Sequence, residues 1–413
     1  MANRGLVVGA TVFMLSAATI VGAGIHMKGQ AFFDGPKELV DEVWQVIDKS
    51  YVDATFNQVD WQATRDEYLA RSYDSDDQAY EAIREMLDQL EDPYTRFMDP
   101  DEFRSMQIDT SGELTGVGIQ LSQDEETNEL IVVSPIEDTP AFDAGIQSQD
   151  RITAIDSTST AGMEIDAAVN LIRGPIGTSV MLTVDRNGEQ LEFEIVRARI
   201  EIHPVRYEVR EDVPGQLGYV RLTQFSAIAA QEMRDAVEAL EEENVAGYIL
   251  DLRANPGGLL HASVEIARMF LDDGTIVSTV NRQGVSDIER ANGRALTDRP
   301  IVVLVDGGSA SASEILSGAL QDNDRAILVG TQTFGKGLVQ SVRGVGQGSG
   351  LAVTIAKYFT PDNRDINKEG IPPDIVVELT EEQREALRDD RTAIGTLQDP
   401  QYARAVEALQ EQL

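Results

Sequence analysis

Serine alternates with alanine in Ser309-Ala310-Ser311-Ala312-Ser313-Glu314, directly after an apolar run at residues 301–305 and the tight turn Asp306-Gly307-Gly308. The run reads as a buried strand and the alternation as the opening of a helix. A serine at such a junction is exposed to backbone amides and to a helix N-terminus, both aimed at developing negative charge, which suits a nucleophile. A serine at a helix start is also the usual N-cap, and spacing alone does not choose among Ser309, Ser311 and Ser313. A second apolar run, residues 326–329, leads into Gly330-Thr331-Gln332-Thr333-Phe334-Gly335-Lys336-Gly337. This loop falls one residue short of a phosphate-binding loop, because Gly337 stands where Ser or Thr would have to ligate magnesium. A glycine-flanked lysine in an apolar loop serves instead as a general base, since desolvation lowers the ammonium pKa towards neutrality.

Composition narrows the chemistry further. The 413 residues contain no Cys and three His (His26, His203, His261), so thiol nucleophiles and thiolate metal sites are excluded and a histidine-based triad is disfavoured. No metal and no organic cofactor is implied. A net charge of −37 repels phosphate backbones and argues against nucleic acid as a partner. Only six of the 34 basic residues are Lys, and none lies between Ser50 and Gly335. Guanidinium does not lose its proton near neutral pH whereas a desolvated ammonium does, so Lys336 stands out against this Arg-rich background.

The elements that must position these groups follow from periodicity. Residues 5–25 are an uncharged run, at about 1.5 Å per residue long enough for a helix to cross roughly 30 Å of hydrocarbon. Lacking a clear small-x-small cleavage site, residues 1–35 read as an N-terminal membrane anchor more than as a removed signal sequence. Residues 36–105 show helical stripes (Val40, Val43, Trp44, Ile47; then Tyr80, Ile83, Met86, Leu87, Leu90) and close on the turn Asp92-Pro93-Tyr94-Thr95-Arg96-Phe97. Residues 106–199 turn to short strands at 117–121, 130–133, 150–155, 180–186 and 191–196, with one helix at 166–173. Residues 200–380 alternate strands and helices in an α/β arrangement, and 381–413 read as a charged C-terminal helical tail.

Together, residues 309–314, the loop 333–337 and Asp251-Leu252-Arg253-Ala254-Asn255-Pro256-Gly257-Gly258 resemble the carboxyl-terminal processing, or tail-specific, proteases. Thr115-Gly116-Val117-Gly118-Ile119, Asp150-Arg151-Ile152 and residues 171–178 resemble the PDZ domain that those enzymes carry, and Tyr358-Phe359-Thr360-Pro361 also matches. The resemblance spans about residues 36–380. It implies a crotonase-like α/β core with an N-terminal helical region and an inserted, β-rich PDZ domain. It also implies a serine endopeptidase in which Ser311 is the nucleophile, Lys336 the base and Gln340 the residue orienting the lysine. Gln340 meets that role if residues 336–340 form a helical turn, because in an extended strand the two would be about 13 Å apart; Asp322 is the rival. Oxyanion donors would be Ala312 and one of Gly257 and Gly258. Gly116, Val117, Gly118 and Ile119 would hold a substrate's terminal carboxylate, and Arg173 would link PDZ occupancy to the core. The implied partners are proteins or peptides with free C-termini, and the membrane through residues 1–35; a homo-oligomer is compatible with the reading. The expected location is the bacterial cell envelope, periplasmic or otherwise extracytoplasmic. The competing readings are a PDZ adaptor that binds tails without cutting, and acyl-CoA chemistry on a related core.

Overall fold

A computed structural model describes residues 35–413 apart from 112, 125–126, 137–138, 202, 212 and 214, so the anchor expected at residues 1–35 lies outside the described residues save its last. Among the described residues no helix is long and apolar enough to cross a membrane. They form two compact units, one running to Thr110 and resuming as His203–Leu413, the other Ser111–Ile202.

In the larger unit a six-stranded sheet has the order Val205–Arg210, Leu217–Leu222, Gly247–Asp251, Ile301–Val305, Ala326–Gly330, Ile375–Val376. Only the first pair is antiparallel. The central strands Gly247–Asp251 and Ile301–Val305 are buried at every residue because both faces are covered, which is why 248–250 and 301–305 are continuous apolar runs. Leu250, Val303 and Val305 face a core shared with the helices Ala229–Glu242, Leu260–Phe270 and Ala312–Asp322. Ile249, Val302 and Leu304 face Tyr402, Val406 and Leu409 of the helix Pro400–Gln410.

That last helix changes the reading of residues 381–413. The segment holds the helices Glu381–Asp389 and Pro400–Gln410, and the second of them is part of the core. The spacing Tyr402, Ala405, Val406, Leu409 is the i, i+3, i+4, i+7 stripe of an amphipathic helix, hidden by the charged residues before it. A buried ion network fastens it: the Arg253 guanidinium lies 2.6 Å from the Asp251 carboxylate and 2.7 Å from that of Asp399, and donates to Gln401 Oε1 at 3.0 Å. Buried charges persist only when paired in this way.

A second sheet in this unit is built on the long strand Gly350–Phe359, flanked by Arg96–Met98 and the hairpin Thr275–Asn281/Gly284–Arg290, with Leu338–Gly344 on its other edge. The helices Pro36–Ser50, Trp61–Ala70 and Asp76–Asp88 pack Trp44, Ile47, Ile83 and Leu87 against its Leu351 and Val353. The smaller unit is an antiparallel sheet, Ile119–Gln123, Leu130–Pro135, Arg151–Ile155, Ser179–Arg186 and Glu189–Val196, with the helices Pro140–Ala144 and Ile165–Ile172. The architecture is the expected α/β core with an N-terminal helical region and an inserted β-rich domain.

Candidate active site

The turn after strand Ile301–Val305 separates the three serines. Ser309 Oγ donates to the Leu252 carbonyl at 2.8 Å and Ser313 Oγ to the Asn255 carbonyl at 2.8 Å, so both stitch this turn to residues 252–255. Ser311 instead sits at φ 55°, ψ −111° as the N-cap of the helix Ala312–Asp322. A non-glycine residue in that region stores strain and persists only where its surroundings hold it. They do so here through its N–H, which donates to Glu314 Oε2 at 2.8 Å, and its carbonyl, which accepts from Tyr358 Oη at 3.1 Å.

The glycine pair lies against the same turn. A Cβ on Gly257, at φ +100°, would stand 2.6 Å from the Ala310 carbonyl and 3.0 Å from Ser311 Cβ; one on Gly258 would stand 2.3 Å from the Phe225 carbonyl. Only glycine permits that approach. The Gly257 N–H donates to Asn255 Oδ1 at 2.9 Å. Among the described residues the N–H groups of Gly258 and of Ala312, the first residue of its helix, have no hydrogen-bond partner. Of the expected donors, then, Ala312 and Gly258 have unengaged N–H groups, whereas that of Gly257 is taken by Asn255.

Lys336 reaches the site on the glycine-rich loop and is buried, 3% exposed. Burial pushes its ammonium down to about 8, Arg96 pushes the same way, and Asp92 and Glu314 pull against them. The Lys336 Nζ lies 4.8 Å from the centre of the Tyr94 ring. Its N–H donates to Glu314 Oε2 at 2.9 Å, the oxygen that accepts from Ser311. Glu314 Oε1 accepts from Thr333 Oγ1 at 2.5 Å and from the Gly335 N–H at 2.7 Å. One buried carboxylate therefore clasps the serine turn and the lysine loop together. Burial raises its pKa, with those four donors opposing the rise.

Two expectations are corrected. Residues 336–340 do not form a helical turn: the strand Leu338–Gly344 begins two residues after the lysine, because pairing with Gly350–Phe359 takes its backbone groups. Gln340 is consequently a buried strand residue, its Nε2 donating to Thr354 Oγ1 at 3.4 Å while its Oε1 has no partner among the described residues. Asp322 is no lysine orienter. It ends the helix that Ser311 begins, about 15 Å away at 1.5 Å per residue, and its buried carboxylate pairs with Arg364 and accepts the Asp362 N–H at 3.0 Å. The sequence assigns no catalytic part to Glu314, Thr333, Tyr94 or Thr354. The Ser-x-x-Glu capping spacing was the visible signal for the first, and the contacts with a loop some twenty residues on had none.

In the smaller unit, Gly116, Val117, Gly118, Ile119 and Arg173 all line one groove of about 140 Å³, made apolar by Leu121, Ile165 and Val169. Gly118 has φ +83°, and a Cβ there would stand 2.3 Å from Thr139 Oγ1. Arg197 donates to the Leu171 and Ile172 carbonyls and caps the groove's helix.

Residues 216–377 match peptidase family S41, 131–186 match the PDZ domain and 36–88 match the tricorn protease C1 domain. The chain is 46% identical over 372 residues to a carboxyl-terminal-processing protease of Synechocystis sp., covering 89% of this chain and 87% of that one. It is 41% identical over 349 residues to the chloroplastic carboxyl-terminal-processing peptidase 3 of Arabidopsis thaliana, covering 81% of this chain and 67% of that one. Among solved structures, a photosystem II D1 C-terminal processing protease superposes with a TM-score of 0.57 at 37% identity, covering 84% of this chain and 94% of that one.

Proposed function

Because the chain belongs to the carboxyl-terminal-processing proteases, serine-type peptidases of family S41, we propose that it cuts extracytoplasmic proteins near their C-termini with a Ser311/Lys336 dyad. The observation that supports the dyad is the shared acceptor: the backbone N–H groups of Ser311 and Lys336 meet on Glu314 Oε2 at 2.8 and 2.9 Å, which holds the two residues as neighbours. In this reading the neutral Lys336 amine takes the Ser311 hydroxyl proton as Oγ attacks the scissile carbonyl. The tetrahedral oxyanion forms on the N–H groups of Ala312 and Gly258, and the Lys336 ammonium returns the proton to the departing amine. Water, deprotonated by the same lysine, then releases the acyl group from Ser311.

The groove of the PDZ domain would take the substrate's terminal carboxylate on backbone amides from 116–119 and an apolar last side chain against Ile165 and Val169. The uncharged run at residues 5–25 would place the body outside the cytoplasm, on the membrane surface. A pure tail-binding adaptor is set aside by membership of a peptidase family. The experiment is cleavage of one tail-bearing protein with a free and with an amidated C-terminus. Amidation should raise KM or lower kcat/KM by tenfold or more, about 1.4 kcal/mol of lost carboxylate binding; equal rates would remove the tail-recognition claim.

The pH profile is a second test. The reacting form needs Lys336 neutral, so kcat/KM should climb through a midpoint near 8 and fall about tenfold per pH unit below it. Arg96→Gln removes a cation that disfavours the ammonium, so its limb should move to higher pH. A profile flat from pH 6 to 9 is incompatible with a lysine base.

A further inference from the structure

Two consecutive glycines make the least rigid peptide a chain can offer, yet Gly257 and Gly258 lie where an N–H has to be held still beside the serine turn. The peptide between them is pinned from outside. Its carbonyl, that of Gly257, accepts the Phe225 N–H at 2.9 Å, and the Phe225 carbonyl accepts the Leu259 N–H at 2.7 Å, a parallel bridge around Gly258. In a trans peptide the N–H points opposite to the C=O, so a carbonyl tied to Phe225 turns the Gly258 N–H away from Phe225. The serine turn stands against the same glycines: a Cβ on Gly257 would be 2.9 Å from the Ala312 nitrogen and 3.0 Å from Ser311 Cβ.

The second pin is the Asn255 side chain, which is fully buried. Its Oδ1 accepts the Gly257 N–H at 2.9 Å, and its Nδ2 donates at 2.8 Å to the carbonyl of Leu222, the last residue of the strand Leu217–Leu222. A backbone carbonyl only accepts and a backbone N–H only donates, so the group between them must offer NH2 on one side and oxygen on the other, and a carboxamide does both. The Asn255 backbone is fastened as well. Its carbonyl accepts the Ala310 N–H at 3.1 Å and Ser313 Oγ at 2.8 Å, so the residue that sets the glycine peptide is bonded on either side of Ser311. Ala254 before it is held at φ 54° with its N–H donated to Asp306 Oδ1 at 2.8 Å, and Pro256 after it has a fixed φ.

We propose that Asn255 is a positioning residue for the oxyanion: its carboxamide, anchored on the Leu222 carbonyl, locks the glycine peptide so that the Gly258 N–H stands ready beside that of Ala312. The proposal rests on the reading of Ser311 as nucleophile with those two N–H groups as oxyanion donors. Donors fixed in advance stabilise the developing charge without reorganising at the moment of reaction. Without the side chain the Gly257 N–H loses its partner, and a glycine peptide held only through its carbonyl is free to swing its N–H out of line.

The test is kcat and KM, in the full chain, on a tail-bearing peptide ester and on the same peptide with a thionoester at the scissile position. Sulfur is a weak hydrogen-bond acceptor, so a tetrahedral intermediate that carries its charge on sulfur gains little from the two N–H groups. Losing one oxyanion donor costs about 10²- to 10³-fold in kcat, and wild type should cleave the oxygen ester faster than the thionoester by at least about 100-fold. Asn255→Ala should lower kcat on the oxygen ester by about 100-fold with KM within about twofold, and slow the thionoester by no more than about fivefold. The oxygen-to-sulfur ratio then collapses by about 20-fold, whereas a merely structural loss slows both esters alike. Equal slowing, or a wild-type ratio, overturns the proposal. Asn255→Ser keeps a short acceptor for the Gly257 N–H and no donor for Leu222, so its ratio should fall less, by about three- to tenfold. If Asn255→Ala proves unfolded by circular dichroism, Asn255→Ser carries the decision, and an unchanged ratio there overturns it. Failure of the underlying reading looks different: cleavage by Ser311→Ala would remove the nucleophile, and a wild type indifferent to sulfur would remove the oxyanion donors. An inactive Ser311→Ala and an oxygen-selective wild type, beside an Asn255→Ala with the wild-type ratio, removes Asn255 alone.

Discussion

Ser311→Ala and Lys336→Ala should each reduce kcat on a tail-bearing substrate by about 10⁴- to 10⁶-fold, and the double variant should be no worse than either alone. The non-additivity follows from the dyad acting as a unit: without the hydroxyl there is nothing to deprotonate, and without the amine the hydroxyl keeps its proton. Tail-peptide affinity should be unchanged in all three, because the groove residues belong to the other compact unit. Lys336→Arg should be as inactive as Lys336→Ala, since guanidinium stays protonated at every usable pH. The neighbouring serines make the control. Ser309→Ala and Ser313→Ala each remove one hydrogen bond to the 252–255 segment. A bond of that kind is worth about 1 kcal/mol, so activity should fall no more than about tenfold, through looser placement of the glycine pair. A dead Ser309→Ala or Ser313→Ala beside a cutting Ser311→Ala would reassign the nucleophile.

The layer arrangement was legible because its signals are local. Residues 248–250, 301–305 and 326–329 are unbroken apolar runs, as strands buried on both faces are. The strand-to-loop junctions marked the three serines and Lys336 as candidates, but it was the family resemblance that singled out Ser311 and the glycine pair. What remained hidden depends on pairs distant in sequence. Residues 336–340 looked capable of a helical turn, and only the partner strand Gly350–Phe359, beyond a turn further on, decides that they extend. Asp322 offered a plausible carboxylate near the end of the right helix; its partner Arg364 lies forty-two residues downstream. Tyr402 and Leu409 form an ordinary amphipathic stripe, but the buried sheet residues Ile249, Val302, Leu304 and Val329 that they cover lie more than seventy positions earlier, so the segment read as a tail.

Glu314 is the residue whose loss should reach furthest, because it serves the nucleophile and the base at once. Its two oxygens take four donors, Thr333 Oγ1 and the Gly335 N–H on one, the Ser311 and Lys336 N–H groups on the other. Glu314→Ala strands all four in a buried site, and each buried donor left unpaired costs about 1–3 kcal/mol. That should appear as a lower urea midpoint together with complete loss of cleavage. Glu314→Gln discriminates better, since it preserves shape and keeps one acceptor oxygen. Facing Ser311 and Lys336 with that oxygen, the new NH2 can donate to the Thr333 hydroxyl but opposes the Gly335 N–H; turned round, it opposes Ser311 and Lys336 directly. The first arrangement leaves one donor unpaired and the second two, so the variant should fold in the first with a loss of about 1–3 kcal/mol. The glycine beside Lys336 is then released, and kcat should fall by about 100-fold while tail binding holds. The Ser311 backbone at φ 55° is maintained by the same contact. Wild-type kcat in Glu314→Gln would mean that the strained serine and the buried lysine are held in place by something other than the carboxylate between them.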